Sequence, residues 1–256
     1  MCSARWVGAT SKFSTINNLP IRDLNWTGRL IQPDGSSTEI NLFAEFPSLE
    51  TKQLRAKIDN NGMLSGKVRI AKSEFLAQYF RQNYANTDQL VYAEQLQSQM
   101  HNAQIADYKI ENKTTDFDKP VVETFNFNSN NELEIIANKM YFFPLTIFAN
   151  KSNPFTQNSR YCHIDFEYLK EENYNFNIEL PDGYDVETLP KSINITSDEN
   201  IFNFKYLIEK NDNKIQLLVN FNYTKSLLTA EYFEIIKNFY AQMINKINEK
   251  IVLVKK

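Results

Sequence analysis

The chain has 256 residues, 42% hydrophobic and 23% charged, and its 28 Lys+Arg against 31 Asp+Glu leave a net charge of −3. That near-neutral balance makes no field able to draw in a phosphate backbone, so no nucleic-acid partner is expected, and no apolar run reaches the roughly 18 to 20 residues of a membrane span. The start, Met1-Cys2-Ser3-Ala4-Arg5-Trp6, lacks the apolar stretch of about 7 to 15 residues of a signal peptide, and two cysteines, Cys2 and Cys162, supply neither a disulfide framework nor a four-ligand zinc site.

Residues 1–20 show no sustained period and end in Leu19-Pro20, an irregular lead-in. From Thr27 to Leu42 the chain reads strand, turn, strand, with Pro33-Asp34-Gly35-Ser36 as the turn. A second hairpin follows: Leu54, Ala56 and Ile58 alternate with polar residues, Asn60-Asn61-Gly62 reverses the chain, and Val68 and Ile70 resume the alternation. The spacing then becomes helical, with Phe75, Leu76, Tyr79 and Phe80 forming one stripe behind Ser73 and Leu90, Val91, Leu96 and Met100 a second behind a Thr87 cap.

Strand periods return at Ile105 to Ile110, Val121 to Phe127 and Leu133 to Ile136, with connections too short for helical crossovers. Tyr141 to Phe155 contains Pro144 and Pro154 and reads as a buried crossing segment or edge. Strands are expected at Tyr161 to Tyr168, Tyr174 to Leu180, Ile193 to Ile195, Ile201 to Ile208 and Ile215 to Tyr223, a spacing that suits a sandwich. Tyr232, Ile236, Phe239, Tyr240, Met243 and Ile247 mark an amphipathic helix, and Ile251 to Val254 a last strand. The fold class is therefore mainly β with flanking helices (α+β): antiparallel β-sandwich-like modules, a short helical pair in the middle and an amphipathic C-terminal helix. The helices yield to strands near residue 103, which divides the chain into 21–102 (hairpins plus short helices) and 103–256 (a sandwich-like domain with its helix).

Reactive side chains are densest at Tyr161-Cys162-His163-Ile164-Asp165. In a strand, Cys162 and His163 point to opposite faces and cannot act as thiol and base, which leaves Cys162 with the distant His101 as the one thiol–imidazole pair for a cryptic hydrolase or acyltransferase. The two histidines lack any short metal-ligand pairing, no cofactor is called for, and no catalytic or metal residue is assigned. None of the six glycines is spaced for a phosphate loop or dinucleotide turn. Glu171-Glu172, Asp182, Asp185 and Glu187 fall on expected turns and strand ends, where charges are usually solvated. Asn126, Asn128, Asn130 and Asn131, with Asn173, Asn175 and Asn177, read either as outward polar strand positions or as a sugar-binding surface. Asn25-Trp26-Thr27, Asn112-Lys113-Thr114 and Asn194-Ile195-Thr196 match the glycosylation triplet, which matters only in a secretory host.

Several strings together resemble one family. Leu19-Pro20-Ile21-Arg22-Asp23-Leu24-Asn25 with Gly28-Arg29-Leu30-Ile31 is similar to the segment after the transglutaminase-like core of bacterial multidomain cell-envelope proteins. Glu111-Asn112-Lys113, Asn153-Pro154-Phe155 with Arg160, Asp165-Phe166, Leu180-Pro181-Asp182-Gly183-Tyr184, Leu189-Pro190-Lys191-Ser192, and Glu249-Lys250-Ile251-Val252-Leu253 continue the likeness in order. The family's core carries Cys, His and Asp; here Gly8 stands at the Asp position, and neither Cys2 nor Cys162 matches the nucleophile. The resemblance thus implies that residues 1–20 are the remnant of such a core and that the chain is a C-terminal module without the triad, not an enzyme. It also implies a periplasmic or cell-surface setting, although the chain shows no signal of its own, and a protein partner, the parent catalytic core or a glycan as what it meets.

Overall fold

The computed structural model describes residues 11–16, 18–145, 147–148 and 152–256. Hairpin β1 (Trp26–Ile31) and β2 (Ser37–Leu42) forms a two-stranded sheet. It turns where Asp34 accepts from the Ser36 N–H and hydroxyl and Gly35 adopts φ +86°. β3 (Ser48–Ile58) and β4 (Leu64–Lys72) follow, reversed by Asp59, whose carboxylate accepts from the Asn61 and Met63 N–H groups, and by Gly62 at φ +81°.

Helices α1 (Glu74–Tyr84) and α2 (Gln89–Gln99) occupy the expected places with different caps and faces. Ser73 makes no side-chain cap; the Phe75 N–H is instead taken by the buried Ser48 hydroxyl, and Ser73 Oγ accepts from Leu49 N–H. The buried face of α1 is Phe75, Ala77, Gln78, Phe80 and Arg81, with Tyr79 exposed. Arg81 turns inward because its guanidinium donates to the carbonyls of Asn112, Phe117 and Lys119, closing the loop between the next two strands. In α2 the cap is Asp88 rather than Thr87, accepting from Leu90 and Val91 N–H. The inward stripe is Tyr92, Leu96 and Met100, leaving Leu90 and Val91 in solvent.

β5 (Gln104–Glu111), β6 (Val121–Ser129) and β7 (Leu133–Ile136) match the expected strands. β8 (Lys139–Phe142) takes Tyr141 and Phe142 out of the expected crossing segment, ending just before Pro144. Only β9 (Ile164–Asp165) survives from the expected strand at Tyr161 to Tyr168. There the Arg160 guanidinium holds the Cys162 and His163 carbonyls, and Asp165 accepts from Glu167 N–H at φ +66°, so the chain turns instead of extending. The remaining elements are β10 (Lys170–Glu179), β11 (Tyr184–Thr188), β12 (Ile193–Thr196), β13 (Phe202–Asn211), β14 (Lys214–Tyr223), β15 (Leu227–Leu228), α3 (Phe233–Ile247) and β16 (Ile251–Lys255).

The expected mainly β fold with flanking helices is what these elements build. Eight strands run in the order β12-β13-β14-β10-β3-β4-β6-β5, and a four-stranded sheet runs β11-β16-β8-β7. All pairings within these sheets are antiparallel except β10 with β3, which is parallel from Lys170↔Ser48 to Glu179↔Lys57. A direct connection did not set that pair; the two strands are far apart in sequence. The division expected near residue 103 falls between α2 and β5, and strands from both sides of it share the large sheet.

One face of that sheet is mainly apolar. Leu54, Val68, Phe125, Phe176, Leu217, Phe204 and Tyr206 point into a core shared with α2, α3 and the four-stranded sheet. In α3, Phe239 stacks on Phe221 and meets Phe202 at a tilt, while Tyr240 meets Phe155 edge-on at 4.8 Å. A smaller cluster of Leu24, Ala44, Phe75 and Tyr168 seats the segment before β1 on α1. Asn25, buried at φ +57°, ties that segment down: its amide donates to Asp165 Oδ1 and the Glu167 carbonyl and accepts from Ser226 Oγ. The Asn25 glycosylation triplet is therefore occupied inside the fold.

In β4, Gly66 lies against its neighbour strand so closely that a Cβ would fall 2.2 Å from the Arg55 carbonyl oxygen and 2.6 Å from Ala56 Cα. Gly66→Ala is expected to lower stability by about 2 kcal/mol through overpacking, read as a lower urea midpoint.

Candidate functional site

His101 follows α2 at φ +53° beside the β6–β7 turn, its Nδ1 3.4 Å from Glu132 Oε1. That turn adjoins Ser129, which pairs with Leu64, itself paired with Ile58 at the end of β3. Cys162 is exposed, two residues before β9. The link from β9 to β10 meets the start of β3, where Ser48 N–H donates to the Leu169 carbonyl. The eleven residues of β3 separate these ends by about 33 Å at roughly 3.3 Å per residue, so Cys162 and His101 are not brought together. His163 sits in the same exposed loop as Cys162. Cys2 and Gly8 lie outside the described residues. Among the described residues no three His, Cys, Asp or Glu side chains group to hold a metal ion.

Of the carboxylates expected on solvated ends, Asp185 pairs with Lys210 and Lys256, and Glu187 with Lys139, on exposed strand positions. Glu172 is different. It points from β10 to the core side of the sheet, in phase with Tyr174, Phe176 and Ile178, where it joins Glu50 and Lys52 of β3, Lys72 of β4, Glu123 of β6 and Lys170. Lys170 Nζ lies 2.6 Å from Glu172, Lys52 Nζ 3.0 Å from Glu50, and Lys72 pairs with Glu123. Tyr174 Oη donates to Glu172 at 2.7 Å and Tyr108 Oη to Glu123 at 2.9 Å. Three carboxylates and three ammonium groups thus form a balanced lattice in which each acid already accepts from a lysine.

Two cavities, about 300 Å³ and 360 Å³, lie over this floor and share Glu50, Lys52, Phe148 and Lys170. Side chains of α3, among them Tyr240 and Met243, wall the first; Phe80, Leu96 and Met100 wall the second. Burial alone would raise the Glu172 carboxyl, but Lys170, Lys52 and the hydrogen bonds from Lys170 and Tyr174 outweigh it and hold its pKa at about 2, below the ordinary 4.5. Burial would lower Lys170, and Glu172 with Glu50 raise it instead. The sequence signal for this lattice was present, since Glu50 and Lys52 keep the phase of Leu54 and Ile58, but the partners come from strands that only the fold makes adjacent.

Among the described residues, the opposite face of the eight-stranded sheet is largely exposed and mostly polar. Its registers set three rows across the strands: Leu207, Leu218, Asn175, Gln53, Arg69; then Gln216, Asn177, Arg55, Lys67, Asn126; then Lys214, Glu179, Lys57, Ser65, Asn128. The lower two rows line a groove of about 750 Å³. Asn126, Asn128, Asn173, Asn175 and Asn177 are thus outward strand positions, whereas Asn130 and Asn131 lie in the β6–β7 turn; on the neighbouring β14, Asn220 Nδ2 donates to Glu171 and Asn173, and Asn222 Nδ2 to Asn220.

Residues 138–253 match a family model described as a Domain of Unknown Function with solved-structure structure (DUF3858). No curated protein matches the chain. A crystal structure described as that of a "putative protease" from Parabacteroides distasonis ATCC 8503 aligns at 10% identity and a TM-score of 0.43, covering 88% of this chain and 30% of that one. The chain therefore spans about a third of that protein's length. No helix among the described residues is long and apolar enough to cross a membrane.

Because the Glu172 pKa is depressed on folding, its contribution is present in full above the unfolded value near 4.5 and is lost as pH falls toward 2. The group is expected to account for a loss on the order of 3 kcal/mol across that window. Glu172→Gln should lower stability at pH 7 and flatten the acid limb, measured as urea midpoints from pH 7 to pH 3. Identical acid limbs in the two proteins would count against the lattice.

Proposed function

We propose that the chain is a non-catalytic interaction module, the C-terminal part of a larger transglutaminase-like protein of the bacterial cell envelope. The ordered strings from Leu19 to Leu253 support the parentage, and the match of residues 138–253 to a domain of unknown function is compatible with it. The observation that carries the reading is the open outer face of the eight-stranded sheet, whose outward positions on β10, β3, β4 and β6 are almost all polar or charged, with cations gathered on β3 and β4. Cys162, exposed and distant from His101, acts in this reading as an ordinary surface thiol.

A second reading, a carbohydrate- or peptidoglycan-binding face, draws on the outward amides Asn173, Asn175, Asn177, Asn220 and Asn222. β10 and β14 present those amides without an outward aromatic ring on which a sugar could stack. Retention on insoluble peptidoglycan that Asn177→Ala and Asn220→Ala abolish would favour it over a protein-facing surface.

Purified protein should show no thiol-dependent amide hydrolysis or amine transfer, assayed with a casein substrate and a fluorescent amine, and Cys162→Ala should match the wild type. Turnover that disappears in Cys162→Ala would overturn the non-catalytic reading.

A further inference from the structure

We infer that the groove across β10, β3, β4 and β6 binds an extended acidic segment of a protein partner. The inference rests on the interaction-module reading and names the chemistry of what docks.

The groove holds four cations, Arg55, Lys57, Lys67 and Lys214, against one carboxylate, Glu179, in a chain whose net charge is −3. Lys214 is 3.9 Å from Glu179. Among the described residues Arg55, Lys57 and Lys67 make no ion pair and no side-chain hydrogen bond, and neither does Arg69 one step along β4. Arg55 and Lys67 are direct cross-strand partners. Like charges directly opposite on a sheet repel and destabilise the pairing. A carboxylate between them would accept from both and relieve that cost, with the guanidinium offering a bidentate fork.

The flanking groups suit a polypeptide. Asn177 and Asn126 flank Arg55 and Lys67 in their row, and Asn128 ends the next. Their amides carry the donor and acceptor of a peptide group, so they fit a main chain laid across the strands. At the far end of the first row, Leu218 and Leu207 pair cross-strand at 49% and 37% exposure. A second hollow of about 360 Å³ sits there among Leu207, Leu218, Asn175 and Gln53. From Leu218 to Arg69 is three strand spacings, about 14 Å, the reach of about four extended residues. An apolar side chain would therefore rest on the leucines while acids a few residues away reach Arg69, Arg55 and Lys67. The groove has no outward aromatic ring for the bases of a single-stranded nucleic acid to stack on.

The probe is a fluorescein-labelled, unstructured peptide of Glu and Ser carrying one leucine, titrated against the full chain by anisotropy. Saturable binding that weakens with salt is expected. Arg55→Glu with Lys67→Glu should weaken it at least ~10-fold, and Leu218→Ser a few-fold. Lys191→Glu, away from the groove, should leave it unchanged. Arg55→Gln with Lys67→Gln provides a milder pair, and the urea midpoints of all variants establish folding. Absence of saturable binding, a Kd indifferent to both double variants, or tighter binding of a heparin oligosaccharide or single-stranded oligonucleotide at the same residues would overturn the inference. Those results would leave the non-catalytic reading to the amide-turnover assay, which tests it separately.

Discussion

The parallel pairing of β10 with β3 is the constraint on which the rest of the structure depends. Every other pairing in the two larger sheets is antiparallel, whereas this one joins β12-β13-β14-β10 to β3-β4-β6-β5 at the centre of the eight-stranded sheet. Residues 138–253, matched to the domain of unknown function, contribute the first four of these strands, and the other four lie before residue 138. The seam is therefore where the matched part of the chain meets the unmatched part in the large sheet. A central parallel pair needs cover on its apolar face, and α1, α3 and the crossing segment through Phe148 provide side chains above it.

The register of the seam is also what the buried charges specify. Glu172 opposes Glu50 and Tyr174 opposes Lys52, a placement that would be unfavourable without Lys170, Lys52 and the tyrosine hydroxyl to compensate it. A slip of one residue would turn the charged set of β10 toward solvent and bring Glu171, Asn173 and Asn175 under the helices. That exchange would strand Glu50 and Lys52 without Lys170 and Tyr174, and an uncompensated buried charge costs several kcal/mol. Hydrophobic residues at these places would pack well yet discriminate less between registers. In this chain the lattice acts as a key for the join between two strands that no short loop aligns.

Much of the fold is legible in the residues themselves. Alternation marks β3, β4, β13 and β14, the three-four spacing marks α3, and Gly35 and Gly62 mark their turns, because each of these signals is local. The discrepancies have one physical source, side chains satisfied by distant partners. Arg81 is buried because loop carbonyls at Asn112, Phe117 and Lys119 need donors. Cys162 and His163 leave the strand because Arg160 and Asp165 hold the backbone in turns. Glu172 looks like a strand-end charge until β3 is placed beside it. Absence of a Cys–His pair from the sequence could be suspected but not measured, since it took the length of β3 to separate Cys162 from His101. Rows such as Asn177, Arg55, Lys67, Asn126 draw on three sequence-distant regions, so no motif announces them.

The outer face raises a question that solubility alone does not answer. An open sheet face needs charges to keep it from adhering to other sheets, and for that purpose either sign serves, best in alternation so that neighbours attract. Elsewhere on this chain the charges do alternate: Lys139 meets Glu187, and Lys210 meets Asp185. Between β3 and β4 they do not, for Arg55 faces Lys67 and Arg69 faces the neutral Gln53. The contrast lies within one sheet, where Glu50, Glu123 and Glu172 on the inward face each pair with a lysine, whereas on the outward face, among the described residues, Arg55, Lys57, Lys67 and Arg69 make no ion pair and only Lys214 of the groove meets a carboxylate. A surface shaped only by solvation has no reason to place like charges opposite one another. One shaped by contact with an anionic chain does, because the repulsion in the free state is converted on binding into attraction from both sides.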